Sequence, residues 1–154
     1  MSEVSTLNVT TDRPQAAIAI LYQEHQFLLQ LRDDIPSIRY PGHWAFFGGH
    51  LEPGELPDVA VRRELIEEIG YEPPIIHHFQ SRMGDFQIIR HVFYAPLKVG
   101  LEALELNEGL DMGLATIANI QQGNLYSERL RETRPLAEPH RQILLEFLQS
   151  EIEG

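Results

Sequence analysis

The stretch from Gly48 to Tyr71, GGHLEPGELPDVAVRRELIEEIGY, constrains this chain more than any other. A glycine-rich turn carrying Glu52 and Glu55 runs into a helical pattern carrying Glu64, Glu67 and Glu68, with Arg63 beside them. Pro57 suits the first turn of a helix, where a backbone N–H lacks an intrahelical partner anyway, and Asp58 suits the positive end of the helix dipole. Gly70 is a stop signal, made firm by Pro73-Pro74. The predicted helix runs from Leu56 to Ile69.

At about 100° per residue, Glu64, Glu67 and Glu68 fall on one face of that helix. Ala60 lies on the same face one turn earlier, where a small side chain lets a ligand approach. Val59, Leu65, Ile66 and Ile69 are expected to bury on the other side, with Arg62 at the edge of that apolar arc. Like charges at these spacings destabilise a helix by roughly a few tenths of a kcal/mol per pair. Arg63 offsets part of this, since it reaches Glu67 at i+4. Oxygen-only carboxylate clusters suit hard cations such as Mg²⁺ or Mn²⁺, which bridge to substrate phosphates. A Gly48-Gly49 turn lets backbone groups approach the same ions. A glutamate-rich helix face alone is most often solvated surface, and a glycine pair alone is most often a hairpin loop. Turn, acids, arginine and helix at one fixed spacing point instead to a site.

Around this stretch the pattern mixes strands and helices. Ala16 to Tyr22 and Phe27 to Leu31 read as strands, joined by a hairpin turn at Gln23-Glu24-His25. Asp33 to Gly42 is a proline-containing loop, and the aromatic run His43 to Phe47 is a strand feeding the glycine turn. Ile75 to Met83 and Phe86 to Val99 form a second hairpin around Gly84-Asp85. Leu101 to Glu108 is an acidic loop, Met112 to Ala118 a further strand, and Asn124 to Pro135 irregular. Glu138 to Ile152 carries Ile143, Leu144, Phe147 and Leu148 at helical spacing, an amphipathic helix. Antiparallel hairpins with two helices give an α+β fold, a layered sandwich.

With 154 residues and 43% apolar content, the chain can build one core. The expected organisation is a flexible N-terminal arm, 1–14, followed by a single domain, 15–154. No apolar run approaches the roughly 18 residues of a transmembrane helix. The polar, acidic N-terminus lacks the features of a signal peptide, so a cytoplasmic location is expected. Cysteine is absent, which excludes disulfides and thiolate metal sites. A net charge of −11 disfavours nucleic acid polymers and anionic membranes as partners. It leaves room for a small phosphorylated substrate held through metal ions.

The stretch resembles the signature of the Nudix hydrolases (MutT-like proteins): a glycine, five residues, a glutamate, seven residues, then Arg-Glu-apolar-x-Glu-Glu-x-Gly-apolar. Here these positions are Gly49, Glu55, Arg63, Glu64, Leu65, Glu67, Glu68 and Gly70, with Tyr71 in the final apolar place and Phe47 where a proline commonly precedes the glycine pair. The order of elements along the rest of the chain is similar to the family's α/β/α sandwich with a mixed central sheet. The resemblance implies Mg²⁺-dependent hydrolysis, with Mn²⁺ as the substitute metal, of a nucleoside diphosphate linked to another moiety. It implies metal binding by Glu64, Glu67, Glu68 and the carbonyl of Gly49. By analogy Glu64 is one candidate general base, oriented by Arg63. In other branches of the family the base lies on a downstream loop, which makes Glu108, in the acidic loop with Glu105, the second. Glu55 and Glu52 are expected to support the turn or add ligands. Many members of the family pair as dimers, so a homodimer is compatible with the resemblance.

Substrate recognition is less specified. Arg32, Arg82 and Arg90 lie on strands or strand ends near the expected cleft and are candidates to pair with phosphates. Trp44 is a candidate to stack a base, as are Tyr40, Phe46, Phe86 and Tyr94, although large aromatics mostly bury. His77-His78 has no partner at ligand spacing and reads as strand. The first substrate expectation is a nucleoside or deoxynucleoside triphosphate; a nucleotide sugar or ADP-ribose-type diphosphate is the alternative. A non-catalytic Nudix-type nucleotide-binding protein is the rival class, disfavoured by the intact ligand set. A di-iron helical protein would need Glu-x-x-His pairs that the helix lacks.

Overall fold

The structure, a computed structural model, describes residues 13–150. The predicted arm therefore lies outside the described residues except for Arg13 and Pro14. A seven-stranded mixed sheet is built from β1 (Gln15–Gln23), β2 (Gln26–Leu31), β3 (Trp44–Ala45), β4 (Phe47–His50), β5 (His77–Met83), β6 (Ile89–Pro96) and β7 (Asp111–Ala115). β1 pairs with β6 in parallel along its length, and the other pairings are antiparallel. Helix α1 (Pro57–Ile69) covers one face, and α2 (Ile117–Gln122) and α3 (Glu138–Gln149) cover the other.

Strand alternation explains the two cores. Ala17, Ala19 and Leu21 of β1 pack with Ala60, Val61, Leu65 and Ile69 of α1. Ile18 and Ile20 turn the other way and pack with Ile143, Leu144 and Phe147 of α3. The result is an α+β fold with an α/β/α layering, as expected. No helix among the described residues is long and apolar enough to cross a membrane.

Three local expectations are corrected. Gly48 and Gly49 lie inside β4 rather than in a turn; the chain turns later, at Pro53-Gly54. Residues 124–135 are not irregular but form a hairpin, β8 (Asn124–Ser127) against β9 (Glu132–Pro135). The strand expected over Met112 to Ala118 stops at Ala115, and Thr116 caps α2 through a reciprocal hydrogen bond with Asn119. Helix α1 is also rotated from the predicted facing. Ala60 is fully buried in the core, whereas Val59 and Ile66 are about half exposed. The rotation carries Glu68 toward the sheet, where it is only 4% exposed. Arg62 sits at the helix edge, donating to the Pro73 carbonyl at 2.8 Å.

The sheet forks where this helix meets it. β1 and β2 pair only beside their hairpin turn, at Tyr22↔Phe27 and Gln23↔Gln26. Below that point the segment 44–50 enters the fork. Its first half, β3, pairs with β2, and its second half, β4, pairs with β1. Phe46 is the crossing residue. β4 has no other strand neighbour among the described residues, so one edge is free for side chains.

Two buried histidines accompany this architecture. On β6, His91 is fully buried, with its ring nitrogens 2.7 Å from Ser81 Oγ and 2.7 Å from Gln15 Oε1. On α3, His140 is 8% exposed. Burial pushes His91 down to about 4 and His140 down to about 3. Both rings are therefore neutral at pH 7, and each weakens the fold as pH falls below the unfolded value of about 6.5.

In ¹⁵N-resolved spectra of the imidazoles, both rings should keep the neutral pattern from pH 8 to 5; a titration midpoint near 6.5 in either would contradict this burial. Gly48→Ala should lower stability in urea melts by on the order of 3 kcal/mol. Its Cβ would meet Ala17 O at 2.2 Å and Ile18 Cα at 2.7 Å, both backbone atoms, at φ +139°. Gly54→Ala, with open space around the new methyl at φ +78°, should cost only the left-handed strain of about 1–2 kcal/mol; equal losses would remove the close-approach argument.

Candidate active site

The fork opens into a cavity of about 530 Å³. Its walls come from β1, β4, α1, the loop after β2, Ile88 and Arg90 at the start of β6, the loop before β7, and His140 of α3. Glu64 and Glu68 reach it because β4 presents glycines there. A Cβ on Gly49 would lie 2.6 Å from the Glu64 carboxyl carbon, and the Gly48 N–H donates to Glu68 Oε1 at 2.9 Å. Glu108 joins from the loop before β7. That loop is tied to the end of α1, because Glu105 N–H donates to the Ile69 carbonyl and Asn107 N–H to the Glu68 carbonyl.

Glu68 is pushed up to about 10, first by burial and then by its hydrogen bond to Glu108; the Gly48 amide opposes the shift. It holds a proton at neutral pH when no cation is near. Burial also raises Glu64, against the pull of Arg63. Arg63 is the hub of the acidic stretch. Its Nε and Nη2 donate to the two oxygens of Glu55 at 2.7 and 2.9 Å, and its Nη1 donates to Glu64 at 2.9 Å and Glu67 at 3.2 Å. Glu55 also accepts from the Glu52 N–H, and with Arg63 this holds it down at about 2. Glu52 thus contributes its backbone to the loop, while its side chain is exposed.

The cavity also holds cationic groups. Arg32 and Arg39 line the cavity and form no ion pair with a carboxylate among the described residues. Arg32 is lowered by burial, and Glu108 and Glu68 partly restore it. Arg90 also lines the cavity, but it is 6% exposed and paired with Asp85 at 2.7 Å. Tyr40 donates to the other oxygen of Asp85. The Arg39 guanidinium lies 4.7 Å over the exposed ring of Phe86.

The structure thus gathers Gly49, Glu64, Glu68, Glu108, Arg32 and Arg90 around one cavity, with Arg63, Glu55 and Glu52 behind it. Glu67 is exposed and held by Arg63 outside the lining. Trp44, Arg82, Tyr94 and Phe86 do not line the cavity. Trp44 is 1% exposed, with its indole N–H bonded to the Leu125 carbonyl at 2.9 Å, so it is core rather than a base platform. Arg82 pairs with Glu146 of α3 at 2.7 Å and does not line the cavity. Tyr94 packs among Phe79, Phe147 and His77. Arg39 and His140 were not anticipated from the sequence. His140 stands three residues before Ile143, in line with Leu144 and Phe147, and that helical spacing is the one signal in the sequence for its buried face.

The donor set suits a hard divalent cation: carboxylates and a backbone carbonyl, with one carboxylate protonated for want of positive charge. Among the described residues, no three acidic or histidine side chains are already gathered into a metal cage. Glu67 would have to leave Arg63 to join one.

Comparison with known proteins gives a consistent family. A candidate 8-oxo-dGTP diphosphatase of Bacillus subtilis (strain 168) is 30% identical over 90 residues, 55% of this chain and 54% of the relative. The nucleoside triphosphatase NudI of Enterobacter sp. (strain 638) is 55% identical over 31 residues, 20% of this chain and 22% of that protein. The chain thus spans about half the length of the first relative and less of the second. Among solved structures, the NUDIX domain of Shewanella oneidensis NrtR, complexed with ADP ribose, superposes with a TM-score of 0.69 at 19% identity, covering 99% of this chain and 100% of that one. A MutT structure from work on Aliivibrio salmonicida and Vibrio cholerae gives 0.67 at 22% identity, covering 90% and 99%. These two show the shared fold. The model of the NUDIX domain matches residues 12–127, the span that holds the fork, the acidic helix and the cavity's cationic groups, and so this chain belongs to the NUDIX domain family.

Proposed function

We propose that the chain hydrolyses a phosphoric anhydride bond in a nucleoside diphosphate-linked substrate, foremost a nucleoside or deoxynucleoside triphosphate, with Mg²⁺ or Mn²⁺ as cofactor. The observation that carries this reading is one cavity lined by Glu64, Glu68 and Glu108 together with Arg32 and Arg39, neither of which is ion-paired among the described residues. A phosphate chain in it meets guanidinium donors and carboxylates that require a cation. The names of the Bacillus and Enterobacter relatives, a diphosphatase and a nucleoside triphosphatase, support the same reaction class. Residues 15–154 would act as one catalytic domain.

In this reading Glu64, Glu67, Glu68 and the Gly49 carbonyl hold the metal. When bound, the cation neutralises phosphate charge and acidifies a water. The chain's own groups do the rest. Arg32 and Arg39 orient the phosphates through charge-assisted hydrogen bonds. Arg63 fixes the direction of Glu64, and burial makes Glu64 a stronger base than a solvated glutamate. Glu64 then takes the proton of the attacking water, with Glu108 as the second candidate. The Gly48 amide holds Glu68 at the cavity edge.

Glu68→Gln or Glu67→Gln should lower Mg²⁺-dependent phosphate release from nucleoside triphosphates by on the order of 100-fold; near-normal turnover in both would remove the metal site. Glu64→Gln should cost about 10²–10⁴-fold in kcat and Glu108→Gln less, the reverse order transferring the role of base. Binding of Mg²⁺ to the free protein near pH 7 should release about one proton, the one held by Glu68. Calorimetry in buffers of different ionisation enthalpy reads this directly, and zero release would contradict a protonated Glu68 at the site.

A further inference from the structure

One carboxylate close to the cavity has no part in the chemistry above. Asp85 lies at the tip of the β5–β6 hairpin and does not line the cavity itself. Its Oδ1 is 2.7 Å from Arg90 Nη2, and its Oδ2 accepts from the Tyr40 hydroxyl. Gly84 leaves room for this pair, since a Cβ there would collide with Arg90 Nη1. Burial pushes Asp85 up, but the bonds from Tyr40 and Arg90 outweigh it and hold the carboxyl below its ordinary value. Tyr40 is pushed up to about 12, first by burial and then by its bond to Asp85, so it is a donor at neutral pH.

Through Tyr40 the same carboxylate reaches the loop between β2 and β3. The base of that loop is closed by backbone bonds, from Arg32 N–H to the His43 carbonyl at 2.9 Å and from Gly42 N–H to the Arg32 carbonyl at 3.1 Å. Its middle has longer local bonds, from Ile38 N–H to the Ile35 carbonyl at 3.4 Å and from His43 N–H to the Tyr40 carbonyl at 3.2 Å. Side chains tie that middle to its surroundings. Tyr40 donates to Asp85, the Arg39 guanidinium lies 4.7 Å over the Phe86 ring, and Arg32 Nε donates to the Arg39 carbonyl at 2.7 Å. Tyr40 and Phe86 also meet edge-on at 6.4 Å. Both stand in left-handed backbone, at φ +52° and +57°. That conformation costs a non-glycine residue on the order of 1–2 kcal/mol and persists where surrounding contacts impose it.

The three arginines lining the cavity are thus tied to one side chain. Arg90 pairs with Asp85 directly. Arg39 precedes Tyr40 in the chain and rests on Phe86, the residue after Asp85. Arg32 is directed by the carbonyl of Arg39. We propose that Asp85 is a positioning residue for phosphate binding, anchoring Arg90 and, through Tyr40, the loop segment that sets the places of Arg39 and Arg32. The inference rests on the phosphoanhydride-hydrolase reading and adds the group that organises its arginines. Holding donors in place before the ligand arrives lowers the ordering cost of binding, so loss of the latch shows first in affinity.

The test uses the whole protein with Mg²⁺ and methylenediphosphonate, whose P–C–P bridge cannot be hydrolysed. Tyr40→Phe removes only the hydroxyl and should weaken calorimetric binding of the diphosphonate by about tenfold. With a nucleoside triphosphate it should raise KM by a similar factor and keep kcat within about twofold. Asp85→Asn should weaken binding at least as much. The sign of that effect is decisive, because through space a carboxylate repels a phosphate and its neutralisation alone would tighten binding. In the Asp85→Asn background, Tyr40→Phe should add less than about twofold, since both changes break the same link. A brace that serves only the fold would lower the urea midpoint and leave diphosphonate affinity and KM unchanged, and that result overturns the proposal. So do tighter binding by Asp85→Asn, independent effects of the two changes, or no binding of the diphosphonate by the wild type. If Asp85→Asn does not fold, Tyr40→Phe, which keeps its ring against Phe86, decides alone by the affinity and the KM-against-kcat split. Failure of the hydrolase reading shows separately, as no Mg²⁺-stimulated phosphate release from any triphosphate while the diphosphonate affinities still follow the pattern above.

Discussion

The hydrogen bond from the Gly48 amide to the Glu68 carboxylate is the interaction on which the site's architecture depends. A carboxyl group 4% exposed is costly unless it is paired or protonated. Here the fold gives it one backbone donor, and burial with the hydrogen bond to Glu108 favours its protonated form. The donor is available because β4 has β1 on one side and, among the described residues, no strand on the other. That free edge exists because the segment 44–50 changes partner from β2 to β1 at Phe46. The fork, the strand switch and the buried acid are one arrangement seen at three scales. Glycine at 48 and 49 is its chemical condition, since side chains there would strike the β1 backbone or the Glu64 carboxylate.

Arg63 then divides the glutamates into separate roles. Two of its nitrogens grip Glu55 in a bidentate pair, which pins the loop between β4 and α1. The third directs Glu64 toward the fork and holds Glu67 near the surface. A lysine offers a point charge and could not span these partners with fixed geometry. The repulsion expected among three glutamates on one helix face is thus relieved in three ways: an ion pair for Glu64, exposure for Glu67 and a proton for Glu68.

Much of this was readable in the sequence, and the failures have physical causes. Residue spacing and Pro57 and Gly70 placed α1 to within a residue, and the signature placed Glu64, Glu68, Gly49 and Arg63 at one site. The helix facing was misjudged because hydrophobicity alone put Val59 and Ile66 inward; the sheet fork instead draws Glu68 in and turns those two out. Gly48-Gly49 was read as a turn because glycine pairs usually are. Its place in a strand depends on β1 and β2 diverging, a non-local fact. The hairpin at 124–135 was missed because its strands are short and largely polar, without the alternation that marks a half-buried sheet. Arg39 sits in a loop whose path no local pattern specifies, and Trp44 was a candidate only because its burial depends on β8 supplying the Leu125 carbonyl.

The charge distribution reconciles a formal net charge of −11 with the anionic substrate proposed above. Long-range attraction cannot bring a nucleotide to this surface, so recognition must come from groups close enough to escape screening. The cavity brings Arg32, Arg39 and Arg90 together with Glu64, Glu68 and Glu108. Burial lowers Arg32, and the nearby Glu108 and Glu68 oppose that shift. Phosphate placed among them would strengthen the arginines and expose the acids to a charge they must share with a cation. In the proposed reading a cation relieves this conflict, since without one the carboxylates that line the cavity would repel a phosphate.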